Sequence, residues 1–459
     1  MSEFFLELFS EEIPSNLQKN LRENLLKSFN EFFLEKSIKF KKSFSYSTPN
    51  RLLILFEGVE KKIVLKSEEI KGPSTKSPDA ALEGFARSNG VSKKELFTKK
   101  TDKGEFYFYK TRSKKLDTHT LLEEATPQIL NKIQWKKSMK WSNYELFWGR
   151  PLKSILSIFD KKKLNFKFHH FISSNSTFVD KEFEEKKKLF SNFKSYKNFF
   201  KKMDILIDHA ERKDLIEKKF DIILKKRNIN IDSNPKLLQE VVDLTDQPNV
   251  IVCEFDKKFL NIPEEILILT MQYHQKYFPT FDKKGTITNQ FLVVANNKDK
   301  KGLIKIGNER VVEARLSDAE FFWQKDKAQN MVKKISDLKL MNYFKGLGNY
   351  FDKAQRMRKL GAIISDELLI SKEKVELSAS ISKVDLLSEL VGEFPELQGI
   401  MGGYFANVQG FDKEISLAVS EQYLPVGSGT KIPKKPYSIA LSLADKIDTL
   451  VGFFGVNQK

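Results

Sequence analysis

The hydrophobic periodicity of the chain changes near residue 318, and this change constrains the fold class. Before it, short apolar runs with strand character alternate with segments whose apolar residues recur at helical spacing. After it, helical periodicity is nearly continuous. The pattern predicts a multidomain α+β protein with a mixed α/β N-terminal region followed by an all-helical domain. We place the regions at 1–235 (α+β, with room for two subdomains), 236–317 (an α+β subdomain) and 318–459 (helical), in keeping with about three domains for this length.

Local patterns predict individual elements on both sides of this change. Turn signals lie at 45–50 and 282–285, and Gly90 ends a helix. We expect strands over 4–9, 51–56, 105–109, 249–255 and 291–295. We expect helices from Pro14 to at least Phe32, over 79–89 and 237–244, and from Pro263 to near Pro279. The helical region is predicted to break at 346–348, at Pro395 and at Gly402–Gly403. The Lys- and Phe-rich stretch 161–202 gives no clear element and is typical of a solvated face.

Composition excludes several classes of protein. Apolar residues make up 40% and charged residues 31%, so the chain can bury a core. No stretch approaches the roughly 20 apolar residues of a membrane span. The N-terminus carries acids where a secretory signal carries bases, and Cys253 is the only cysteine, which excludes a disulfide framework. We therefore expect a cytoplasmic protein without a membrane partner.

The net charge of +18 favours an anionic partner, with nucleic acid as the first candidate. Only 11 of the 79 basic residues are arginine, and Phe, Ile and Asn are also abundant. An AT-rich genome produces the same bias at solvated positions. Charge alone is therefore modest support for RNA binding.

The sequence lacks recognisable machinery for nucleotide or metal chemistry. It has neither a P-loop pattern nor a Gly-x-Gly-x-x-Gly motif after a strand. Gly427–Lys431 resembles a phosphate cradle, but prolines flank it and no helix N-terminus follows directly, so we predict an ordinary loop. His169 and His170 have no accompanying cysteine or acid cluster, so we predict a solvated or packed pair. We assign no catalytic residue and no metal ligand.

Two segments mix bases with aromatic residues. In 271–279 the Tyr and His side chains could stack on bases, or Met271, His274 and Phe278 could form one core-facing helical stripe; we favour the core for the aromatics and RNA for Lys276. In 135–151 tryptophans alternate with bases. Tryptophans are often core anchors, so Lys137, Lys140 and Arg150 are the better candidates for RNA contacts.

Thirteen short motifs, which we call the family landmarks, occur in order along the chain: Phe5–Pro14, Thr48–Leu52, Lys71–Pro73, Gly84–Arg87, Lys137–Trp141, Arg150–Leu152, Phe255–Asp256, Pro263–Leu267, His274–Phe278, Asn308–Val312, Arg315–Ala319, Gly392–Gly399 and Leu443–Asp448. In content and in order they resemble the motifs of the bacterial glycyl-tRNA synthetase beta subunit.

The resemblance implies a part in joining glycine to tRNA(Gly) at the expense of ATP, within an α2β2 heterotetramer. In that family the alpha subunit carries the active site, so ATP and Mg²⁺ are expected there and no cofactor is expected on this chain. The beta subunit binds and positions the tRNA, which is an entropic contribution to catalysis. The implied tRNA-binding candidates are Arg51, Lys71, Lys137, Lys140, Arg150, Lys276, Arg310 and Arg315.

Two features depart from the family pattern. The family's C-terminal anticodon-binding domain has no counterpart here, and the match breaks off after Gly455, so we expect a fragment or a truncated gene. The family's helical block is compared with HD phosphohydrolases, but no histidine follows His274. We therefore expect a degenerate HD-like scaffold in which Asp385, Asp445 and Asp448 are structural. A stand-alone RNA-binding protein derived from the subunit is the alternative, and a metal-dependent phosphohydrolase is a third, disfavoured hypothesis.

Overall fold

The computed structural model describes residues 2–65, 69–102, 104–111, 114–178 and 186–458. Its fold is α+β, as predicted, and it forms two compact units. The N-terminal unit comprises Met1–Lys219, Asn234–Asn249 and Ala295–Lys298. The C-terminal unit comprises Phe220–Ser233, Val250–Val294 and Asp299–Lys459.

The N-terminal unit mixes strands and helices. Its strands are β1 (Glu3–Ser10), β2 (Lys42–Thr48), β3 (Arg51–Glu57), β4 (Lys62–Leu65), β5 (Glu69–Ser74), β6 (Leu96–Thr101), β7 (Gly104–Lys110), β8 (Lys114–Asp117), β9 (Leu152–Phe159), β10 (Lys162–Lys163), β11 (Lys167–Phe168), β12 (Phe171–Ile172), β13 (Ser176–Phe178) and β14 (Lys187–Leu189). Its helices are α1 (Ser15–Glu35), α2 (Asp79–Ser88), α3 (Thr118–Asn131), α4 (Phe193–Lys202), α5 (His209–Arg227, whose last residues belong to the C-terminal unit) and α6 (Pro235–Leu244). The strands and helices predicted in this part of the chain are confirmed.

A five-stranded antiparallel sheet, in the order β10-β9-β1-β3-β2, lies at the centre of the N-terminal unit. Alternate residues of β1 point to opposite faces. Phe4 therefore packs against Phe29 of α1, whereas Phe5 packs against Tyr196 of α4. Because both faces are covered, β1 is almost continuously apolar.

The predicted turn at 45–50 is too long, because β2 continues to Thr48 and only Pro49 and Asn50 form the turn. The polar residues that suggested a longer turn have partners in the fold. Ser47 is fully buried and its hydroxyl accepts a hydrogen bond from Arg22 of α1 at 3.1 Å. Tertiary contacts thus allow a polar sequence to form a strand.

A smaller lobe of the N-terminal unit consists of the β5-β7-β6 sheet and α2, whereas the β4-β8 pair adds Ile63 and Leu116 to the main core of the unit. The smaller lobe brings two family landmarks together. A Cβ atom on Gly72 would lie 2.7 Å from the ring of Phe85, so only glycine allows β5 to approach α2 this closely. Gly90 adopts a φ of +64° directly after α2, as a helix-ending glycine should.

The stretch 161–202 is more structured than a solvated face. Short strands β10 to β14 are followed by α4, which buries Phe193, Tyr196 and Phe200 against the central sheet. These three residues share one face of the helix. Residues 179–185 of this stretch lie outside the described residues, as does Lys459.

The C-terminal unit begins with a small sheet and continues as helices. Its strands are β15 (Asn230–Ile231), β16 (Asn249–Glu254), β17 (Phe278–Phe281), β18 (Ile287–Ala295), β19 (Asn342–Phe344) and β20 (Gly348–Asn349). Its remaining helices are α7 (Glu264–Leu269), α8 (Leu303–Lys327), α9 (Met331–Lys334), α10 (Tyr350–Glu367), α11 (Lys372–Ile381), α12 (Glu389–Glu393), α13 (Ile400–Val408), α14 (Lys413–Glu421) and α15 (Pro436–Gly455). The predicted strands over 249–255 and 291–295 and the turn at 282–285 are confirmed.

The helix that starts after Pro263 ends earlier than predicted. Helix α7 stops at Leu269, a π-helical turn covers Thr270–His274, and Lys276 adopts a φ of +59°. Phe278 then enters β17 and packs against Phe220. Phe278 therefore does not share a helical stripe with Met271 and His274, because its ring is needed in the sheet core.

Two predictions for the helical region need correction. The region is not entirely helical, because it contains the β19-β20 hairpin. The domain boundary placed at 317/318 stays a prediction, and α8 runs across these two residues. The predicted break at Gly402–Gly403 is wrong, since both lie within α13. A Cβ on Gly403 would lie 2.7 Å from the Ser416 carbonyl oxygen, so these glycines permit close packing of α13 on α14. The breaks at 346–348 and Pro395 are confirmed.

Within the described ranges, no helix is both long enough and apolar enough to cross a membrane.

Candidate functional site

The densest group of predicted RNA contacts lies on and directly beside a loop from Met139 to Trp148, which we call the 139–148 loop. Its ends are joined by two backbone hydrogen bonds between Met139 and Trp148, of 2.8 and 3.1 Å. This pairing brings the landmark Lys137–Trp141 next to the landmark Arg150–Leu152. Residues 132–153 include six bases and a single acid, Glu145.

Apolar anchors fix the loop to the core of the N-terminal unit. Trp148 and Leu146 are buried, and Trp148 contacts Trp135 and Phe168 at ring-centroid distances of 4.9 and 5.7 Å. A Cβ on Gly149 would lie 2.0 Å from the Trp135 ring, so this position requires glycine. The prediction that tryptophans act as core anchors is confirmed for Trp148.

Two of the three predicted bases face solvent. Lys137 and Lys140 are exposed, whereas Arg150 is half-buried and donates to the Gly149 carbonyl oxygen at 3.1 Å. The ammonium of Lys140 lies 4.8 Å from the centroid of Phe147, which is itself 59% exposed. Within the described part of the chain, Lys137, Lys140 and Arg150 form no ion pair with a carboxylate, which leaves their charges available for phosphate.

Tyr144, on the 139–148 loop, forms an aromatic stack with His170. Their rings are nearly parallel, at 8°, with centroids 3.5 Å apart, and Trp141 meets both rings edge-on at 6.2 to 6.3 Å. His169 contacts the side-chain oxygen of Asn131 instead, at 3.2 Å. Burial, with a smaller contribution from His169, lowers the pKa of His170, so this ring is neutral near pH 7.

Sequence reasoning did not identify Tyr144 or His170 as site residues. Tyr144 lies between Trp141 and Trp148 in a segment bounded by Lys140 and Arg150, and this position is a usable signal. His170 is 26 residues away along the chain, in the turn between β11 and β12, so only the tertiary fold reveals it. The sequence predicts a solvated or packed pair, and the structure has one of each: His169 is exposed, and His170 is stacked on Tyr144.

The position of Arg51 argues against an RNA contact. Its guanidinium is only 1% exposed, pairs with Glu7 at 2.8 Å and donates to the Phe178 carbonyl oxygen at 2.7 Å. The rings of Phe9 and Phe200 lie 4.5 and 4.7 Å from its Cζ. No donor of Arg51 reaches the surface, so we do not retain it as a candidate.

Lys71 lies on the smaller lobe of the N-terminal unit. Its side chain is exposed on β5, and its ammonium lies 3.5 Å from the centroid of Phe106. Lys71 therefore stays a candidate on a separate part of this unit.

The remaining candidates belong to the C-terminal unit. The hydroxyl of Tyr277 hydrogen-bonds to the Asn308 side chain, which connects the landmark containing Lys276 with the landmark containing Arg310. Lys276 is half-buried with its ammonium 5.4 Å from the Tyr273 ring, and Arg310 is exposed on α8. Arg315, also exposed on α8, pairs with Glu393 at 3.8 Å.

The three aspartates predicted to be structural are buried in the helical part of the C-terminal unit. Asp385 accepts hydrogen bonds from the backbone N–H groups of Gly399 and Gly402. Burial raises the pKa of Asp385 to about 6, against the opposing effect of these N–H groups.

Asp445 and Asp448 are neutralised by neighbouring bases. Lys383 lies 2.7 Å from Asp445, Lys353 lies 3.3 Å from Asp445 and 3.2 Å from Asp448, and Arg356 also pairs with Asp448. Among the described residues, no group of three or more His, Cys, Asp or Glu side chains is placed to hold a metal ion. The contacts of the three aspartates fit the predicted structural role, while the HD-like assignment itself stays a prediction.

The Gly427–Lys431 segment is a loop, as predicted. Thr430 closes a turn on Gly427 through a hydroxyl-to-carbonyl hydrogen bond of 2.8 Å, and the next helix, α15, begins only at Pro436. The residues that directly follow this loop therefore do not present a helix N-terminus to it.

Comparison with known proteins identifies the family. The family model of the glycyl-tRNA synthetase beta subunit matches residues 4–459. The glycine–tRNA ligase beta subunits of Rickettsia felis and Rickettsia prowazekii are 36% identical to this chain over 455 and 459 residues, which is 98% and 100% of this chain and 68% of each relative. That of Rickettsia conorii is 37% identical over 453 residues, 98% of this chain and 67% of the relative. The chain belongs to the glycyl-tRNA synthetase beta subunit family.

Proposed function

We propose that this chain is the non-catalytic subunit of a glycine–tRNA ligase, and that it binds tRNA(Gly) and holds it where the alpha subunit attaches glycine. The proposed assembly is an α2β2 heterotetramer in the cytoplasm. ATP and Mg²⁺ act at the alpha subunit, and this chain holds no cofactor. Family membership gives the reaction, while the division of labour is our inference.

The observation that carries the proposal is the basic surface around the 139–148 loop. Lys137, Lys140 and Arg150 come from two family landmarks; Lys140 lies on the closed 139–148 loop, and Lys137 and Arg150 each lie two residues beyond one of its paired ends. Fixed bases can bind the phosphates of a tRNA in one orientation. Holding the tRNA next to a second subunit turns a bimolecular encounter into an effectively unimolecular one, which lowers the entropic part of the barrier.

The test is to mix the purified chain with its alpha subunit and measure transfer of glycine to tRNA. We expect charging only when both subunits are present. Charging of tRNA by this chain alone would overturn the proposed division of labour. A chain that binds tRNA but never stimulates charging by the alpha subunit would instead favour the stand-alone RNA-binding protein.

A charge-matched pair of variants locates the surface. Lys137→Gln combined with Lys140→Gln should raise the KM for tRNA and leave kcat with saturating tRNA nearly unchanged, because these bases bind rather than react. Lys225→Gln combined with Lys226→Gln removes the same charge from exposed positions at the end of α5. Equal effects of the two double variants would mean that overall charge, and not this loop, governs binding.

A further inference from the structure

We propose that the 139–148 loop holds an unpaired nucleotide of the tRNA by stacking its base on Tyr144. This inference rests on the proposed function and deepens it, because it specifies single-stranded rather than double-helical RNA as the ligand of this surface. It uses two residues, Tyr144 and His170, that the predicted set of bases did not include.

The stack formed by Tyr144 and His170 is a platform with one free side. His170 covers one face of Tyr144 at 3.5 Å, yet Tyr144 remains 41% exposed. The exposed part is therefore the opposite face with its edge and hydroxyl group. A planar base fits such a surface, and aromatic rings are the usual platforms for unstacked bases.

The platform is held in place before any ligand arrives. Trp141 contacts both rings edge-on and packs against the core of the N-terminal unit. The Met139–Trp148 pairing closes the loop behind it. A ring fixed in this way loses little conformational entropy on binding.

Charge around the platform suits the backbone of a nucleotide. Lys137 and Lys140 are exposed nearby in the sequence, and Lys140 lies over Phe147, a second exposed ring of the same loop. Glu145 is the one acid in residues 132–153. Exposed aromatic rings and exposed ammonium groups on one short segment match a base attached to its phosphates.

The combination of an exposed aromatic ring with exposed lysines favours an unpaired nucleotide over a duplex. In an A-form helix both faces of each base are covered by neighbouring bases, so Tyr144 could reach only the backbone. An unpaired nucleotide can turn its base onto the ring while its phosphates meet the lysines. An exposed apolar patch for a protein partner would not require this row of lysines.

The experiment compares binding of two RNA probes to the chain of residues 1–459 by fluorescence anisotropy. One probe is a short unstructured oligonucleotide and the other is a hairpin duplex with the same number of phosphates. Tyr144→Ala should weaken binding of the unstructured probe by about fivefold to about 150-fold, the range for loss of one base–aromatic stack. Tyr144→Phe should keep wild-type affinity within about twofold, since the ring is retained.

Matched variants separate stacking from other effects. Phe454→Ala removes an aromatic ring of 71% exposure from the C-terminal unit and should change neither probe. His170→Ala removes the supporting ring and should produce an intermediate loss for the unstructured probe. The duplex should bind all variants alike, and the salt dependence of binding should be unchanged because no charge is lost.

Two results would overturn the proposal. The first is that the Tyr144→Ala variant binds the unstructured probe as tightly as the wild type does. The second is that this variant loses affinity equally for both probes. Either result leaves the proposed function intact if the wild-type chain still supports glycine transfer by the alpha subunit. Failure of the wild-type chain to support that transfer would instead reject the proposed function, whatever the outcome with Tyr144→Ala. Thermal unfolding of each variant confirms that the fold is retained.

Discussion

The two units of the molecule each bury a cluster of charged groups, and the clusters are built differently. In the N-terminal unit a single arginine, Arg51, is held between Glu7 of the neighbouring strand and a backbone carbonyl. Tyr196 of α4 donates to the same Glu7 carboxylate at 2.7 Å. The cluster therefore joins two strands of the sheet to the helix that covers them.

The cluster of the C-terminal unit uses lysines that share their acids. Lys383 and Lys353 both contact Asp445, and Lys353 also contacts Asp448. Lys383 donates further hydrogen bonds to the Gln422 side chain at 2.7 Å and to a tyrosine hydroxyl. These contacts join α10, the segment after α11, and α15.

The difference between the clusters lies in how firmly the charge is held. An arginine remains charged at any pH at which proteins are studied, and its planar fork bonds several partners at once. A lysine loses its charge more readily when it is buried. We therefore expect the N-terminal cluster to be insensitive to pH and the C-terminal cluster to respond to it.

The largest expected effect comes from removing a shared acid. Asp445→Asn leaves two buried ammonium groups near one carboxylate, and should lower the free energy of unfolding by about 3–5 kcal/mol. Urea denaturation measures this loss, and amide hydrogen exchange should place it in α10 and α15. Asp445→Asn combined with Lys383→Met should recover part of the stability, because the second change removes one of the stranded charges.

Glu7→Gln is the matched change in the N-terminal unit. This change leaves one arginine without its carboxylate partner. Because Arg51 keeps its hydrogen bond to the Phe178 carbonyl oxygen, the free energy of unfolding should fall by less than for Asp445→Asn. A loss for Glu7→Gln equal to or larger than that for Asp445→Asn would contradict the idea that sharing makes the second cluster more vulnerable.

The next effect concerns pH. Burial lowers the pKa of Lys383 to about 8, against the opposing attraction of Asp445. Below pH 8 the lysine is protonated in both states and the full cost of burying its charge is present. Between pH 8 and the higher pKa of the unfolded chain, only the unfolded state keeps the proton, so stability should rise with pH, by at most about 3 kcal/mol.

The measurement is the free energy of unfolding of the wild type minus that of Lys383→Met, at several values between pH 7 and pH 10. We expect this difference to move in favour of the wild type as the pH rises. The same difference for Arg51→Met should be flat over this range. A flat result for Lys383→Met would mean that Lys383 keeps its proton in the folded state.

Local patterns were sufficient for most elements of this fold. The strand over 4–9, the helix after Pro14 and the breaks at 346–348 and Pro395 follow from periodicity and from the preferences of proline and glycine. The predictions fail where a tertiary contact determines the local secondary structure. Gly402 and Gly403 stay helical because α14 packs against them, and Phe278 leaves the helix because the sheet core needs its ring.

The candidate site likewise combines features that follow from local patterns with features that only tertiary contacts decide. Lys140 and Arg51 are both bases in family landmarks, and no local pattern distinguishes them. Only the fold shows that Glu7 pairs with Arg51 inside the sheet while Lys140 faces solvent. His170 illustrates the opposite case, since its role depends on Tyr144, from which it is distant in sequence.

The smallest expected effect on stability comes from changing an exposed base, and it contrasts with the effect of changing a buried one. Lys140→Gln should change the free energy of unfolding by no more than about 0.5 kcal/mol, because the side chain is exposed and contacts the exposed Phe147 ring. If Lys140 binds phosphate, the same change should reduce the magnitude of the slope of log K against log salt for tRNA by about one unit. Arg51→Gln should do the reverse, with a clear loss of stability and an unchanged salt slope while the fold persists. An unchanged slope for Lys140→Gln would mean that Lys140 belongs to the ordinary solvated surface, and would leave Arg150 and Lys137 as the bases to test next beside this loop.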